Sequence, residues 1–211
     1  MNSLPFSPAA DRNKQPILEA LCSVLPARGR ALEIASGTGQ HTACFAAGLP
    51  GWSWQPTDLD PSALSTIAAR VAQAGLRNVA AARLLDVRGP VWPTAGAPFS
   101  ERFDAIFCAN MLHITPWESC TALMQGAARY LSPEGILVTY GPYLEAGLRT
   151  ATGNQNFDAS LRAANPAWGL RALQDVSHEA QQAGLVLQKR LVMPANNLLL
   201  VWGRGTVSAP P

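Results

Sequence analysis

The chain has 211 residues, 48% of them hydrophobic, and a formal net charge of +2. That length is one domain, and the apolar content suits a buried core and argues against disorder. The charge is too small and too dispersed for a nucleic-acid footprint, and with Lys14 and Lys189 as the only lysines there is no polybasic membrane patch.

No run approaches the ~20 apolar residues of a membrane-spanning helix. The first residues, MNSLPFSPAADRNK, lack the apolar stretch of a secretory signal. Cys22, Cys44, Cys108 and Cys120 have no CxxC spacing, so free thiols in a reducing cytoplasm are expected. The three histidines lie far apart without cysteine partners, and no metal site is expected.

Residues 1–10, with Pro5 and Pro8, read as irregular. The stripe Ile17, Leu18, Leu21, Cys22 and Leu25 predicts a helix over about 14–25. Residues 30–35 read as a first strand, followed by the turn SGTGQ and a helix to about Leu49. Residues 52–57 read as a second strand, in which Pro56 argues against a central place. Asp60 and Pro61 are an N-cap and first helical residue; Leu64, Ile67, Ala68 and Val71 continue that helix to Gly75. A third strand is expected over 79–85 and a loop over 88–102.

Residues 103–109 (FDAIFCA) are apolar on both faces, as in a central parallel strand. Thr115-Pro116-Trp117-Glu118 reads as a capping box opening a helix through Leu123, Met124, Ala127 and Leu131. A turn over 132–135 leads to a fifth strand, 136–140. Residues 144–168 are polar and break the rhythm, which predicts a functional insertion or lid. A helix follows over about 171–182. Strands 185–192 and 197–203, joined by MPAN, form an antiparallel pair, and the tail GTVSAPP reads as frayed. The whole is a single α/β domain of five β/α units and a terminal hairpin, with residues 1–27 as an N-terminal cap.

The sharpest motif is LEIASGTGQH, residues 32–41. Glycines between a strand and a helix let backbone pass close to a ligand, at the strand ends where open α/β sheets bind. Asp58 lies 19 residues past Gly39 at the end of the second strand, where a carboxylate can accept two ribose hydroxyls. Asp86, in LLDV, follows the third strand and can reach an exocyclic amine. Glu33 inside the first strand would oppose a pyrophosphate but suits a cationic ligand or an ordered loop, and no GK[ST] follows, so a P-loop is excluded.

The pattern Glu33-x-Ala35-x-Gly37-x-Gly39, then Asp58, then Asp86, resembles the class I S-adenosylmethionine (SAM)-dependent methyltransferases over about residues 28–142, and the terminal hairpin fits as well. Ala35 stands where the first glycine is usual. The segments SPAADRNKQPIL, ALEIASGTGQH, QPTDLDP, FCANMLHITPWE, YGPY, NQNFDASLRAANPAWGLR and MPANNLLLVW resemble more closely a methyltransferase-like family whose vertebrate member is methyltransferase-like protein twenty-six. The resemblance implies a Rossmann-like seven-stranded sheet in the order 3-2-1-4-5-7-6, strand 7 antiparallel, and SAM as cofactor. It places Glu33, Ala35, Ser36, Gly37, Gly39, Asp58, Leu59, Asp86, Val87 and Asn110 at the cofactor.

His113, Tyr140 and Tyr143 follow the fourth and fifth strands and are the catalytic candidates, against a structural histidine and packed phenols. Arg12 and Asn13 (with Lys14) in the cap could fold over the cofactor's carboxylate or over the acceptor, and Asn154 and Phe157 (with Asn156 and Arg162) in the insertion are candidates for substrate contact. His41 either covers the cofactor or faces solvent; Asn196 and Asn197 suit a hairpin turn with positive φ. The implied function is methyl transfer from SAM to a small-molecule acceptor by in-line displacement, without nucleic-acid or membrane partners and with the oligomeric state open. The alternatives are other SAM chemistry (aminocarboxypropyl transfer or intramolecular cyclisation) and a non-catalytic SAM-binding protein.

Overall fold

The structure, a computed structural model, describes residues 3–205; most of the tail expected to fray lies outside them. In chain order the elements are α1 (Pro8–Val24), β1 (Gly29–Ile34), α2 (Gln40–Gly48), β2 (Trp52–Asp58), α3 (Pro61–Gln73), β3 (Arg83–Leu84), β4 (Phe103–Ala109), α4 (Glu118–Tyr130), β5 (Leu131–Gly141), β6 (Tyr143–Leu144), α5 (Thr152–Ala164), β7 (Arg171–Ala172), α6 (Leu173–Gln182), β8 (Leu185–Met193) and β9 (Asn197–Arg204). The main sheet runs β3-β2-β1-β4-β5-β9-β8. β3, β2, β1, β4 and β5 pair parallel with one another in that order, and β9 runs antiparallel to β5 and β8. With the two-residue pair β6 and β7 set aside, this is the expected order. The sheet has one core on each face. Trp52, Trp54, Phe45 and Ile17 fill the side under α1 and α2, and Leu123, Met124, Val176 and Trp202 the side under α4 and α6. Burying each such large side chain is worth about 1.5–3 kcal/mol.

Four local expectations are corrected. α1 begins at Pro8, not near residue 14, because Ser7 caps it, its Oγ accepting the Ala10 N–H at 3.2 Å, with Pro8 in the first turn. The capping box at Thr115 does not form: its hydroxyl donates to the Met111 carbonyl at 2.9 Å, closing the 3₁₀ turn Met111–His113, and α4 starts at Glu118 without a side-chain cap. The insertion is not irregular throughout but holds a helix, α5, which is polar on average and buries only Leu161. An i,i+4 pair, Asp158–Arg162 at 2.9 Å, supports it instead.

The fourth correction concerns Pro56. β2 lies between β1 and β3, so the proline is not at an edge. Trp54 donates to Asn78 O and accepts from Ala80, and Asp58 O accepts from Leu85; the backbone of alternate residues thus faces β3, and Pro56 between them has no N–H to give. The third strand is therefore reduced from the expected 79–85 to Arg83–Leu84 and a bridge at Val79. The Gln55 side chain donates to Ala81 O at 2.8 Å across the gap.

Candidate functional site

The carboxyl ends of β1, β2, β4 and β5 carry the expected site residues along one edge. The loop after β1 passes through the left-handed region at Ala35 (φ 56°), Gly37 (φ 55°) and Gly39 (φ 72°). Gly39 needs to be glycine for a second reason: a Cβ there would stand 3.1 Å from the Ile67 backbone of α3. Ser36 pins the loop to β2, donating its N–H to Thr57 O at 2.9 Å and accepting the Thr57 N–H on Oγ at 3.3 Å.

Asp58, at the end of β2, takes the Gly37 N–H on Oδ2 at 2.7 Å and the Asp60 N–H on Oδ1 at 2.9 Å. Each bond uses one lone pair on its oxygen, leaving the others for a ligand. Leu59 beside it is 55% exposed, a bare apolar surface next to a carboxylate. Nothing lies within 4 Å of a Cβ built on Gly37, so the space over the loop is open.

Glu33 lies beneath the loop, 1% exposed. Its Oε2 accepts Trp54 Nε1–H at 2.6 Å and the Thr42 hydroxyl at 2.8 Å. Burial pushes its pKa up to about 7 against those donors. Its carboxylate joins β1, β2 and α2. Asp86 follows β3, but Arg88 occupies both its oxygens (Nε to Oδ1 at 3.1 Å, Nη2 to Oδ2 at 2.8 Å) and holds its carboxyl below the usual range. The Val87 side chain is buried in the core.

The cap is tied down on the glycine loop. Gln40, buried at the start of α2, accepts the Ser7 N–H on Oε1 at 2.6 Å and donates to Ser7 O at 3.3 Å. Arg70 on α3 donates to Thr38 O at 2.7 Å and to Pro5 O at 2.6 Å. His41 neither covers the loop nor faces solvent freely. It stacks on Phe45, ring centres 5.2 Å apart, and its Nε2 lies 2.7 Å from Asn13 Oδ1. Burial, then Lys14, brings its pKa down to about 4, so the neutral ring donates this hydrogen bond.

Next to the loop a cleft of about 780 Å³ opens between the first turns of α1, the floor at Asn110, Tyr140 and Pro142, the insertion helix α5 and the β8–β9 turn. Five residues predicted from sequence, Arg12, Asn13, Tyr140, Asn154 and Phe157, meet there although they lie on three separate elements, α1, β5 and α5. Asn110 joins them with φ 59°, its N–H on Tyr140 O at 2.8 Å. Asn154 Nδ2 donates to Asn196 O at 3.0 Å and so links α5 to the hairpin. Asn196 has the expected positive φ, but its partner in that conformation is Ala195 rather than Asn197.

Two of the catalytic candidates lie under the floor. His113 is 1% exposed, both ring nitrogens lack a hydrogen-bond partner, and its ring meets Tyr143 edge-on at 5.3 Å. A Cβ on Gly141 would stand 2.3 Å from His113 Nε2. Burial lowers the His113 pKa to about 4. Tyr143 is buried, donates to Thr139 Oγ1 at 3.0 Å and has its pKa pushed far up by desolvation. Gln40, Arg70, Ser7, Pro142, Pro194 and Ala195 had no assigned role in the sequence reading. Ser7-Pro8 was a legible cap signal; the others act only through tertiary contact. Among the described residues no group of three or more His, Cys, Asp or Glu side chains is placed to hold a metal.

Sheet order, antiparallel ending and glycine loop together define the class I methyltransferase fold. Solved structures agree. A methyltransferase of calicheamicin biosynthesis in its SAH-bound form is 15% identical, with a TM-score of 0.74 over 93% of this chain and 54% of that one. An O-methyltransferase of neocarzinostatin biosynthesis, in complex with SAM and 2-hydroxy-5-methyl naphthoic acid, is 15% identical, TM-score 0.73, over 93% and 55%. An O-methyltransferase family protein from Burkholderia thailandensis is 18% identical, TM-score 0.74, over 95% and 59%. The chain thus spans a little over half the length of these proteins. The chain belongs to the family described as protein of unknown function (DUF938), which matches residues 4–204.

Proposed function

We propose that the protein is a SAM-dependent methyltransferase acting on a small-molecule acceptor, with the cofactor on the loop 35–39 and the acceptor in the adjoining cleft. The observation that carries this reading is the Asp58 carboxylate held on the Gly37 N–H, with open space over that glycine. Two outward lone pairs suit a ribose diol, and Leu59 suits the face of an adenine. Gly37 and Gly39 would let backbone approach the ligand, and Asn110 at the end of β4 would mark the border between cofactor and acceptor. Asp86 would contribute to the adenine end only if Arg88 moved aside. The bound groups named for the solved structures, SAH, SAM and a hydroxynaphthoic acid, support the same division.

When bound, SAM supplies a methyl group on a good leaving group. The chain's own residues position the acceptor and exclude water. α1, tied by Gln40 and Asn13, forms one wall; α5 and the hairpin, tied by Asn154, form the other. Tyr140 stands between as the phenol that contacts the acceptor. No helix among the described residues is long and apolar enough to cross a membrane. The four cysteines are free, which fits a reducing compartment. The test is calorimetric titration of the protein with SAM and with S-adenosylhomocysteine. Micromolar binding of both is expected, and folded protein that binds neither overturns the reading.

A further inference from the structure

We propose that the acceptor is a small carboxylic acid with an apolar body, and that a carboxylate oxygen takes the methyl group to give a methyl ester. This rests on the methyltransferase reading of the same cleft and specifies its substrate class.

The first argument is the absence of a base on the wall. Of the residues lining the cleft only Arg12 and Tyr140 are titratable. A guanidinium is permanently charged and has no acceptor. Burial raises the Tyr140 phenol above its ordinary value, with an Asn13 hydrogen bond opposing the rise, so the phenol keeps its proton at neutral pH. The nearby histidines do not supply the lack. His41 does not line the cleft and is held against Phe45 and Asn13, and His113 lies behind Gly141, buried. A hydroxyl or ammonium acceptor must lose a proton to react; a carboxylate arrives without one.

The second argument is the sign and polarity of the wall. Arg12 forms no salt bridge among the described residues, and no Asp, Glu or Lys lines the cleft. Asn13 Oδ1 takes the His41 N–H, which leaves the Asn13 amide as a donor on the same wall as the Tyr140 phenol. The Tyr140 hydroxyl proton is free to point at a ligand. A cationic fork and a hydroxyl donor match a carboxylate. Pro16, Pro142, Pro194 and Phe157 supply the apolar remainder.

The step balances without a proton. The carboxylate oxygen gives the electron pair of the new O–CH₃ bond. The S–CH₃ bond of the sulfonium donor breaks with its pair on sulfur. The anion becomes a neutral ester and the cation a neutral thioether.

The experiment titrates the full chain, saturated with S-adenosylhomocysteine, with benzoate, 2-naphthoate and decanoate, and with 2-naphthamide and 2-naphthol as neutral controls. At least one acid is expected to bind roughly tenfold or more tightly than the controls. Arg12→Gln is expected to abolish that preference while S-adenosylhomocysteine affinity stays the same. With SAM, mass spectrometry should show the methyl ester of the bound acid and no ether of 2-naphthol. Equal binding of acid and amide, no binding of any acid, or methylation of naphthol overturns the proposal and leaves the methyltransferase reading standing. Failure of S-adenosylhomocysteine itself to bind overturns both.

Discussion

Replacing Asp58 by alanine tests the cofactor site most directly. In the folded protein its two oxygens hold the Gly37 and Asp60 N–H groups at 2.7 and 2.9 Å. Both sit at the exposed edge, where water can replace the lost acceptor, so the stability cost is about 1 kcal/mol per bond. The cofactor loses more, because hydrogen bonds to an ionised group are worth about 1.5–3 kcal/mol, or roughly 10- to 150-fold in Kd. Calorimetry with S-adenosylhomocysteine measures the affinity, and thermal unfolding confirms that the variant is folded. Asp58→Asn keeps one acceptor oxygen and should fall between the two. Asp60→Ala is the control: Asp60 caps α3, its Oδ1 accepting the Ser62 N–H at 2.8 Å, and it is assigned no ligand. Unchanged affinity in folded Asp58→Ala, or an equal loss in Asp60→Ala, would remove Asp58 from the cofactor site.

Further expectations follow from the loop, the core and the buried acid and bases. Ala35 pays about 1–2 kcal/mol for its left-handed φ, of which the looser unfolded chain takes back about 0.4–1 kcal/mol on substitution by glycine. Ala35→Gly should therefore raise the denaturant midpoint slightly, and a clear fall would show that the methyl group packs. A Cβ on Gly126 would lie 2.1 Å from the Trp92 ring, which is buried and stacked on Tyr130. Gly126→Ala should cost about 1–3 kcal/mol, and a wild-type midpoint would contradict that packing.

His113 and His41, lowered from 6.5 to about 4, take up protons in the unfolded chain first. Their contribution to stability is present above pH 6.5 and is lost as pH falls toward 4, by about 3 kcal/mol for His113. Glu33, raised from 4.5 to about 7, runs the other way: its contribution is present below pH 4.5 and is lost as pH rises through 7. Between pH 4.5 and 6.5 the trends oppose. Glu33→Gln should steepen the fall in stability on the acid side, measured as denaturant midpoint against pH; parallel profiles for the two proteins would sink the account.

Much of the site was legible in the sequence because it is built from local signals. The turn SGTGQ, Asp60-Pro61 and the alternating apolar runs specify their own backbone, and a loop at a strand's carboxyl end is a ligand edge wherever the strand lies in an α/β sheet. Ser7-Pro8 was equally local, but Pro5 and Pro8 together read as irregular chain. α5 stayed hidden because its residues are polar on average and only Leu161 is buried, so the stretch reads as polar loop although its few apolar residues share one helical face.

Local signals specify the class of fold and which strand ends carry the glycines, Asp58, Asn110 and Tyr140, and the resemblance supplies the order of strands. Long-range packing selects which of these face a common space. Arg12 and Phe157 are 145 positions apart and meet because α1 is drawn over the loop by Gln40, while α5 is tied to the hairpin by Asn154. It also separated Tyr140 from His113 and Tyr143. Beyond the end of β4 the chain turns in a 3₁₀ coil that carries the imidazole behind Gly141, and the next phenol, two residues past the glycine, folds back onto Thr139. Sequence spacing places residues at a strand end; only packing fixes whether a side chain points into the cleft or beneath it.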